Sequence, residues 1–586
     1  MPFVNMSADG ENEYFCDGIT EEIINALARV TELKVTSRTS SFYFKHHKAS
    51  IQEIGEKLNV SAILEGSVRV GGNMLRITAQ LIEVATDSHF WSQTWDRKLE
   101  NIFEIQDEIS LHIADRLREQ FGHMEIGDHL AKSPTQNLNA YELLLKGKYL
   151  FNRWNPEDVN KAIGLFEQAI EQDPDLLDAH MGLSDAYGFL ATAGFAPREA
   201  SWKKAFEHMK VVERINPNHA PLNYQLANHA FFTEADYNKA FKYTLKSIES
   251  RPTYPEGQQF MAFLYLLKND TTKANEHLQY VRSVDPLNQE TLFYQAYYFY
   301  RTEDFEKAAA ICQQLLKTNP KNLPAYIVHC YSLFHLKRMD QVIEETANMP
   351  DEIMIPDERA GINALAYLMK GDSKNAEPYV NQVMVRSNEN ASFQADAYAF
   401  WIYARQSKAD EAFAIVEKLF THQSSILLLN YYDPLAKNLR GDERFRRYAD
   451  RIYPDLTHKE PTPKTNTSQL DEATAAAYEE KLMAFVNDEL PYLNPSLSLR
   501  SLAEQIEMHP NQLSWLLNEK ICKNFNEFIN DYRIGHFKKL AVDPANSHIS
   551  LVGLAFESGF NSKTVFNTYF KKAEGMTPSA FLKHHS

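Results

Sequence analysis

The sequence predicts three consecutive units: an N-terminal α/β domain, a central all-α solenoid and a C-terminal all-α domain with two tandem helix-turn-helix units. Alternating apolar residues flank a Gly-Gly-Asn turn early in the chain, a period of 34 residues runs through the middle, and two short helix pairs lie near the end. A chain of 586 residues is also too long for one hydrophobic core. We place the domains at residues 1–122, 140–452 and 471–586, with a polar, Pro-containing linker at 453–470.

The first domain is predicted from its alternation of helix and strand patterns. Helices are expected at Asp17–Val30, Ile51–Leu58 and Phe103–Phe121, and strands at Leu33–Ser37, Ser61–Val70, Met74–Val84 and His89–Trp95. Residues 1–7 are expected to be the tail of a strand whose beginning is missing. The strings from Pro2, Tyr14, Leu64 and Arg76 are similar to a TolB-amino-terminal-like domain, which precedes tetratricopeptide arrays in bacterial signalling proteins. That resemblance implies no catalytic chemistry.

The central solenoid is predicted from a regular register of small residues. They precede an apolar pair at Ala162, Ala205, Ala240, Ala274, Ala308, Val342, Ala376 and Ala412. The steps between them are 43, 35, 34, 34, 34, 34 and 36 residues, and prolines follow the earlier ones at the same period. This pattern resembles the tetratricopeptide repeat, in which a small residue lets two helices cross closely. The long first step places an insertion around Ala191–Arg198. About eight helix pairs would form a concave face for a protein or peptide partner, to which some tyrosines of Tyr294–Tyr300 would contribute.

The C-terminal domain carries the most informative pattern of the chain. A first helix from Ile549 ends at Gly559, where a positive φ costs little, and a second helix follows over Asn561–Lys572. One face of the second helix is polar, and Val565, Phe566, Tyr569 and Phe570 are spaced to bury the other. A short helix, a Gly-containing turn and a polar-faced helix form the geometry that enters a DNA major groove.

This domain resembles the AraC/XylS family of bacterial transcription regulators. The resemblance rests on residues at fixed offsets, namely Ala555, Gly559, Phe560, Phe566, Phe570, Lys571, Lys572, Gly575, Thr577 and Pro578. The upstream unit of that family is also present: Leu499–Ile506 would be its support helix, Asn511–Asn518 its recognition helix, and Phe525–Arg533 the start of the joining helix. Cys522 stands where the family usually has glycine, which makes the local turn geometry uncertain.

The candidate DNA contacts follow from side-chain chemistry. Asn and Gln pair with adenine, and Lys donates to guanine. The expected groove contacts are Asn511, Gln512, Ser514 and Trp515 in the first unit, and Ser562, Lys563, Thr564, Asn567 and Thr568 in the second. Lys538, Lys571 and Lys572 are expected to bind phosphates, and Phe560, Phe566 and Phe570 to form core.

Charge and cysteine usage limit the possible classes of function further. The formal net charge of −17 disfavours non-specific attraction to DNA, yet residues 508–586 hold nine Lys or Arg against six Asp or Glu. Four scattered cysteines and the absence of a long apolar run favour a cytoplasmic protein without a membrane span.

No enzyme motif, metal site or cofactor site is predicted, because no phosphate-binding loop, zinc motif or nucleophile elbow occurs in the sequence. The main hypothesis is a regulator that binds double-stranded DNA through its C-terminal domain, with the other domains as protein- or ligand-sensing inputs. The sequence leaves open whether the chain forms a homodimer. One alternative is an interaction scaffold whose helix-turn-helix domain is vestigial or contacts protein. A weaker alternative follows from the layout, which resembles the non-catalytic part of some nucleotide-cyclase-like signalling proteins.

Overall fold

The computed structural model describes residues 1–7, 12–131, 133–153, 155–192, 195–349, 357–389, 392–454 and 469–585. Its architecture is the predicted one: a small sheet with helices, a long helical array and a C-terminal helical domain. Most of the predicted linker, residues 455–468, lies outside the described residues.

The N-terminal domain is built on a four-stranded sheet in the order β1-β2-β3-β4, with β1 parallel to β2 and the other pairs antiparallel. The strands are β1 (Val4–Asn5), β2 (Ala62–Gly71), β3 (Met74–Glu83) and β4 (Ser88–Lys98). The helices are α1 (Glu13–Leu27), α2 (Arg38–Phe42), α3 (Ile51–Leu58) and α4 (Ile102–Phe121). The hairpin at Gly71–Asn73 is therefore confirmed.

The predicted strand at Leu33–Ser37 is wrong. This segment pairs with no strand among the residues that the structure describes; instead, the Ser37 side chain caps α2 and its backbone N–H donates to Val284 O of the solenoid at 2.6 Å. The segment instead connects two domains, a tertiary role that local propensity does not encode.

Within the described residues, sixteen helices in eight consecutive pairs form the central array. They are α5 (Leu138–Phe151), α6 (Pro156–Gln172), α7 (Leu177–Thr192), α8 (Arg198–Ile215), α9 (Ala220–Phe232), α10 (Tyr237–Ser250), α11 (Pro255–Leu267), α12 (Thr271–Val284), α13 (Gln289–Arg301), α14 (Phe305–Thr318), α15 (Leu323–His335), α16 (Met339–Asn348), α17 (Glu358–Lys370), α18 (Ser373–Asn388), α19 (Phe393–Arg405) and α20 (Ala409–Thr421). Two shorter helices, α21 (Ser425–Asn430) and α22 (Glu443–Ile452), end the array.

The register of small residues explains the packing of the array. Each of the eight small residues lies in the second helix of a pair and is at most 1% exposed. The predicted insertion falls between α7 and α8, partly outside the described residues. Within Tyr294–Tyr300, Tyr297 and Tyr300 are buried, and the Tyr300 hydroxyl donates to Asp433 Oδ1 at 2.7 Å. That hydroxyl binds the solenoid's own C-terminal segment in this structure.

The α/β domain lies against the early helix pairs of the solenoid. Lys148 Nζ approaches Glu21 Oε1 at 3.6 Å, Arg251 donates to Asn25 Oδ1 at 2.7 Å, and the Ser40 hydroxyl donates to Asp285 Oδ1 at 2.7 Å. One buried cluster runs continuously from this domain into the first repeats. The two domains therefore form one packed body.

The C-terminal domain consists of helices in two groups joined by one long helix. They are α23 (Glu472–Glu489), α24 (Leu499–Gln505), α25 (Pro510–Trp515), α26 (Phe525–Val542), α27 (Leu551–Glu557), α28 (Lys563–Glu574) and α29 (Pro578–His585). No helix within the described ranges combines the length and apolarity that crossing a membrane requires.

Candidate nucleic-acid interface

The second helix-turn-helix unit is formed by α27 and α28 with a tight turn at Gly559. Gly559 has φ +91°, and a Cβ at this position would lie 2.1 Å from the Tyr492 carbonyl oxygen. Only glycine tolerates both the backbone conformation and this close approach. The turn glycine thus fixes the angle between the two helices and seats the unit against the segment that follows α23.

An aromatic core supports α28. Phe560, Phe566 and Phe570 are each at most 2% exposed, and the last two rings contact Phe537 of α26 at centroid distances of 4.7 and 5.5 Å. The predicted core role of these three residues is confirmed. The opposite face of α28 is therefore held outward by a rigid interior.

The outward face of α28 presents the predicted polar residues. Ser562 caps the helix by accepting from the Val565 backbone N–H, and the side chains of Lys563, Thr564, Asn567 and Thr568 are exposed. Val565, which the sequence places in the buried stripe, is instead 36% exposed. It lies one residue before Phe566, and only Phe566 reaches the core, so Val565 adds an apolar group to the outward face.

The C-terminal half of α28 is tied to the joining helix α26. The Tyr569 hydroxyl donates to Asp531 Oδ1 at 2.8 Å, and Lys572 Nζ lies 2.9 Å from Glu527 Oε1. Lys538 is paired with Glu574 at 2.9 Å. Two of the three predicted phosphate-binding lysines therefore have carboxylate partners, whereas Lys571 is exposed and makes no ion pair with any residue that the structure describes.

The first unit is formed by α24 and α25, and α25 continues as a π-helical turn over Leu516–Lys520. Ser514 is completely buried in this structure and Gln512 and Trp515 are partly buried, so the groove contacts expected of these residues stay predictions. Because hydrophobic spacing alone does not say which side of so short a helix faces inward, the sequence did not separate Ser514 from the less buried Gln512 and Trp515.

Asn511 is buried by residues of another domain. It is 8% exposed, and its Oδ1 accepts from Arg118 Nη1 at 2.6 Å. Its Nδ2 donates to Glu125 Oε2 at 2.9 Å. In this arrangement Asn511 contacts α4 of the α/β domain and the segment that follows it, and a base contact would require both to move.

Cys522 resolves the uncertainty at the turn before α26. It adopts φ +57°, the left-handed conformation that the family's glycine would favour. The turn geometry is therefore kept, with a cysteine in a conformation that costs it energy.

Arg533 joins the two units through backbone oxygens. Its Nε donates to Tyr492 O at 2.8 Å and its Nη2 to Asn494 O at 2.9 Å, and burial lowers the pKa of Arg533 to about 10. The guanidinium stays protonated at neutral pH, and it is used for structure. The sequence's count of basic residues therefore overstates the charge available to a phosphate backbone.

Comparisons with known proteins match two of the three units. Residues 502–584 match the model of a helix-turn-helix domain, and residues 262–322 match a tetratricopeptide repeat. The C-terminal unit is an AraC-type helix-turn-helix domain, and the central unit is a tetratricopeptide array. The resemblance of the first domain to TolB-type domains stays a prediction.

A curated protein of Rhizobium meliloti (strain 1021), provisionally named adenylate cyclase 3, is 38% identical over 186 residues. The alignment spans 31% of this chain and 31% of that protein. Similar solved structures include tetratricopeptide proteins of Parabacteroides merdae (12% identity, 42% of this chain and 92% of that one, TM-score 0.29) and Thermus thermophilus (18%, 33% and 98%, TM-score 0.26).

Proposed function

We propose that this chain, which carries an AraC-type helix-turn-helix domain behind a tetratricopeptide array, is a sequence-specific transcription regulator of the bacterial cytoplasm. The observation that carries the proposal is the outward face of α28, where a rigid aromatic core supports exposed side chains suited to base contact. Their chemistry fits the edges of base pairs in the major groove.

The roles within that face follow from hydrogen-bonding capacity. Asn567 has the donor and acceptor that an adenine edge requires, and Lys563 donates to the acceptors of guanine. Ser562, Thr564 and Thr568 would add hydroxyl contacts, and the exposed Val565 offers an apolar contact for a thymine methyl group. Lys571 would bind phosphate and position the helix without specifying sequence.

The α/β domain and the solenoid would act as inputs to this DNA-binding domain. The α/β domain contacts both the early repeats and the first helix-turn-helix unit, so it is the element that would relay a signal between them. A protein or peptide partner is the expected ligand of the solenoid. Adenylate cyclase activity is not part of the proposal, because the relative with that name is similar over 31% of each chain.

The test is binding to duplexes that the full chain selects from a random pool. Lys563→Ala/Asn567→Ala should weaken binding by about 1–3 kcal/mol if both residues touch bases. Lys481→Ala/Asn487→Ala removes the same residue types from α23, outside both recognition helices, and should leave affinity unchanged. Equal affinity of the wild type and the α28 variant would refute the proposed base contacts.

The alternative function is an interaction scaffold whose C-terminal domain binds protein. Two observations favour it: the formal charge of −17 and the engagement of Asn511 by the α/β domain. The two functions differ in salt dependence, since DNA binding weakens steeply as salt rises. A scaffold would select no duplex from the pool at any salt concentration.

A further inference from the structure

The C-terminal end of α4 and the segment after it lie against the first recognition helix. Besides Arg118 and Glu125, the backbone carbonyl of Ile126 accepts from Asn511 Nδ2 at 3.2 Å. Asn511 is in the first turn of α25, and the first residues of a recognition helix are those that reach base edges. The base contact predicted for Asn511 and its contacts with residues 118–126 are therefore mutually exclusive.

Carboxylates of α4 also bind polar groups of the support helix. The Leu499 backbone N–H donates to Glu119 Oε1 at 2.7 Å, and Arg500 Nε lies 3.0 Å from Asp115 Oδ2. Backbone N–H groups and arginines at such positions are common phosphate ligands in protein–DNA complexes. Two carboxylates of the α/β domain thus engage groups of the kind that bind DNA phosphates.

The contact extends to the start of the joining helix. Asn524 Nδ2 donates to Gln120 O at 3.2 Å, and Asn526 Nδ2 donates to Gln120 Oε1 at 2.9 Å. A Cβ on Gly122 would lie 3.1 Å from Asn518 Oδ1, so no space for a duplex remains between these surfaces. The α/β domain and the segment that follows it therefore contact the support helix, the recognition helix and the start of the joining helix.

The contact is polar, and this makes it separable. Arg118 and Glu119 are at most 2% exposed, and their partners across the contact are hydrogen-bonding groups. The desolvation of charged groups such as these offsets much of the attraction that they gain from their partners. Water would hydrate these groups again when the two surfaces separate, and this hydration would offset much of the free energy that the contact contributes. A modest input can therefore shift the equilibrium between the closed and open states.

We propose that the α/β domain is an autoinhibitory cover, which keeps the first helix-turn-helix unit from DNA until the cover is released. The proposal rests on the proposed DNA-binding function. In the closed state only the second unit is open to DNA, and binding through both units requires opening. Apparent affinity is then reduced by the fraction of molecules that are open.

The test uses full-length variants altered on the α/β side, so that the DNA-binding domain is unchanged. Glu125→Arg removes an Asn511 partner and adds bulk at the contact, and Asp115→Ala removes the Arg500 partner. Glu108→Ala is the matched control, because Glu108 lies on α4 and pairs with Arg97 within its own domain. Hydrogen exchange of residues 510–520 reports the contact, and affinity for duplexes selected by the full chain reports its consequence.

In both contact variants we expect faster exchange over residues 510–520 and at least fivefold tighter DNA binding, with neither change in Glu108→Ala. Faster exchange with unchanged affinity would overturn the proposal while the proposed function stands, provided that Lys563→Ala/Asn567→Ala still weakens binding. Unchanged exchange in both variants would overturn it as well. Absence of DNA binding by every form, open or closed, would refute both the cover and the proposed function.

Discussion

Gly559 packs against Tyr492 so closely that a Cβ on residue 559 would lie 2.1 Å from the Tyr492 carbonyl oxygen. This contact joins the turn of the second unit to the segment leading into the first. Since Arg533 donates to the same oxygen, one carbonyl fixes the relative position of both units. Two recognition helices in a fixed relation are what a tandem reader of successive grooves requires.

Gly559→Ala should therefore destabilise the C-terminal domain by about 2–4 kcal/mol, through the backbone collision and the positive φ together. Gly575→Ala is the control, because Gly575 has φ +68° and nothing within 4 Å of its Cβ position. The control should cost only about 1–2 kcal/mol of backbone strain. The difference is measured by denaturant unfolding of the full chain, with hydrogen exchange within residues 551–585 as the probe. Equal losses of stability in the two variants would contradict the packing argument.

Cys522→Gly should stabilise the first unit. Cys522 holds φ +57°, which is unfavourable for a residue with a Cβ, and glycine would relieve that strain. Part of the gain is lost to the greater freedom of glycine in the unfolded chain, so a net gain of up to about 1 kcal/mol is expected. The midpoint of chemical unfolding of the C-terminal region is the measurement, and a lower midpoint would contradict the assignment.

Lys571 and Lys572 are adjacent and should differ in their effect on DNA binding. Lys571 is exposed, whereas Lys572 already pairs with Glu527. Lys571→Ala should reduce the slope of log affinity against log salt by about 1 and weaken binding to all sequences alike. Lys572→Ala should change that slope less. A larger slope change for Lys572 would show that its ion pair opens on DNA.

Glu358 gives the solenoid a pH dependence. It is buried, it accepts hydrogen bonds from Tyr398 and Gln394, and burial raises its pKa to about 7. A carboxyl whose folded-state pKa is raised stays protonated when the unfolded form has ionised. The contribution of Glu358 to the free energy of unfolding therefore falls as pH rises from about 4.5 to about 7, and it is constant above pH 7.

Glu358→Gln removes this titration and keeps the hydrogen-bonding shape. The variant's melting temperature should fall less than that of the wild type as pH rises through the window, and the two curves should run parallel above it. Thermal unfolding between pH 5 and pH 8 tests this. Identical pH profiles for the two forms would show that Glu358 does not titrate in that window.

Much of the fold was predictable because its causes are local. The small residues from Ala162 to Ala412 are all buried where helices of a pair cross. Gly559 likewise indicated a turn that only glycine allows. The outward polar face of α28 followed from the same periodicity. Val565 departs from the pattern because it lies at the edge of the apolar stripe, where spacing does not decide burial.

The long-range contacts could not be predicted. Arg118 and Asn511 are 393 positions apart, and nothing in either neighbourhood indicates the other. Ser37 likewise donates a backbone hydrogen bond to Val284 of the solenoid, although its segment was predicted to be a strand. Such contacts depend on how the domains pack, and a single sequence carries no direct signal of that arrangement.

Genome-wide DNA occupancy in the native host, comparing wild type with Lys563→Ala/Asn567→Ala, is the sharpest test of sequence-specific recognition by α28. We expect discrete peaks in the wild type that share a sequence element and that disappear in the variant. Lys481→Ala/Asn487→Ala should keep the wild-type peaks. An absence of peaks across several growth conditions, or peaks unchanged in the α28 variant, would contradict sequence-specific recognition by this face.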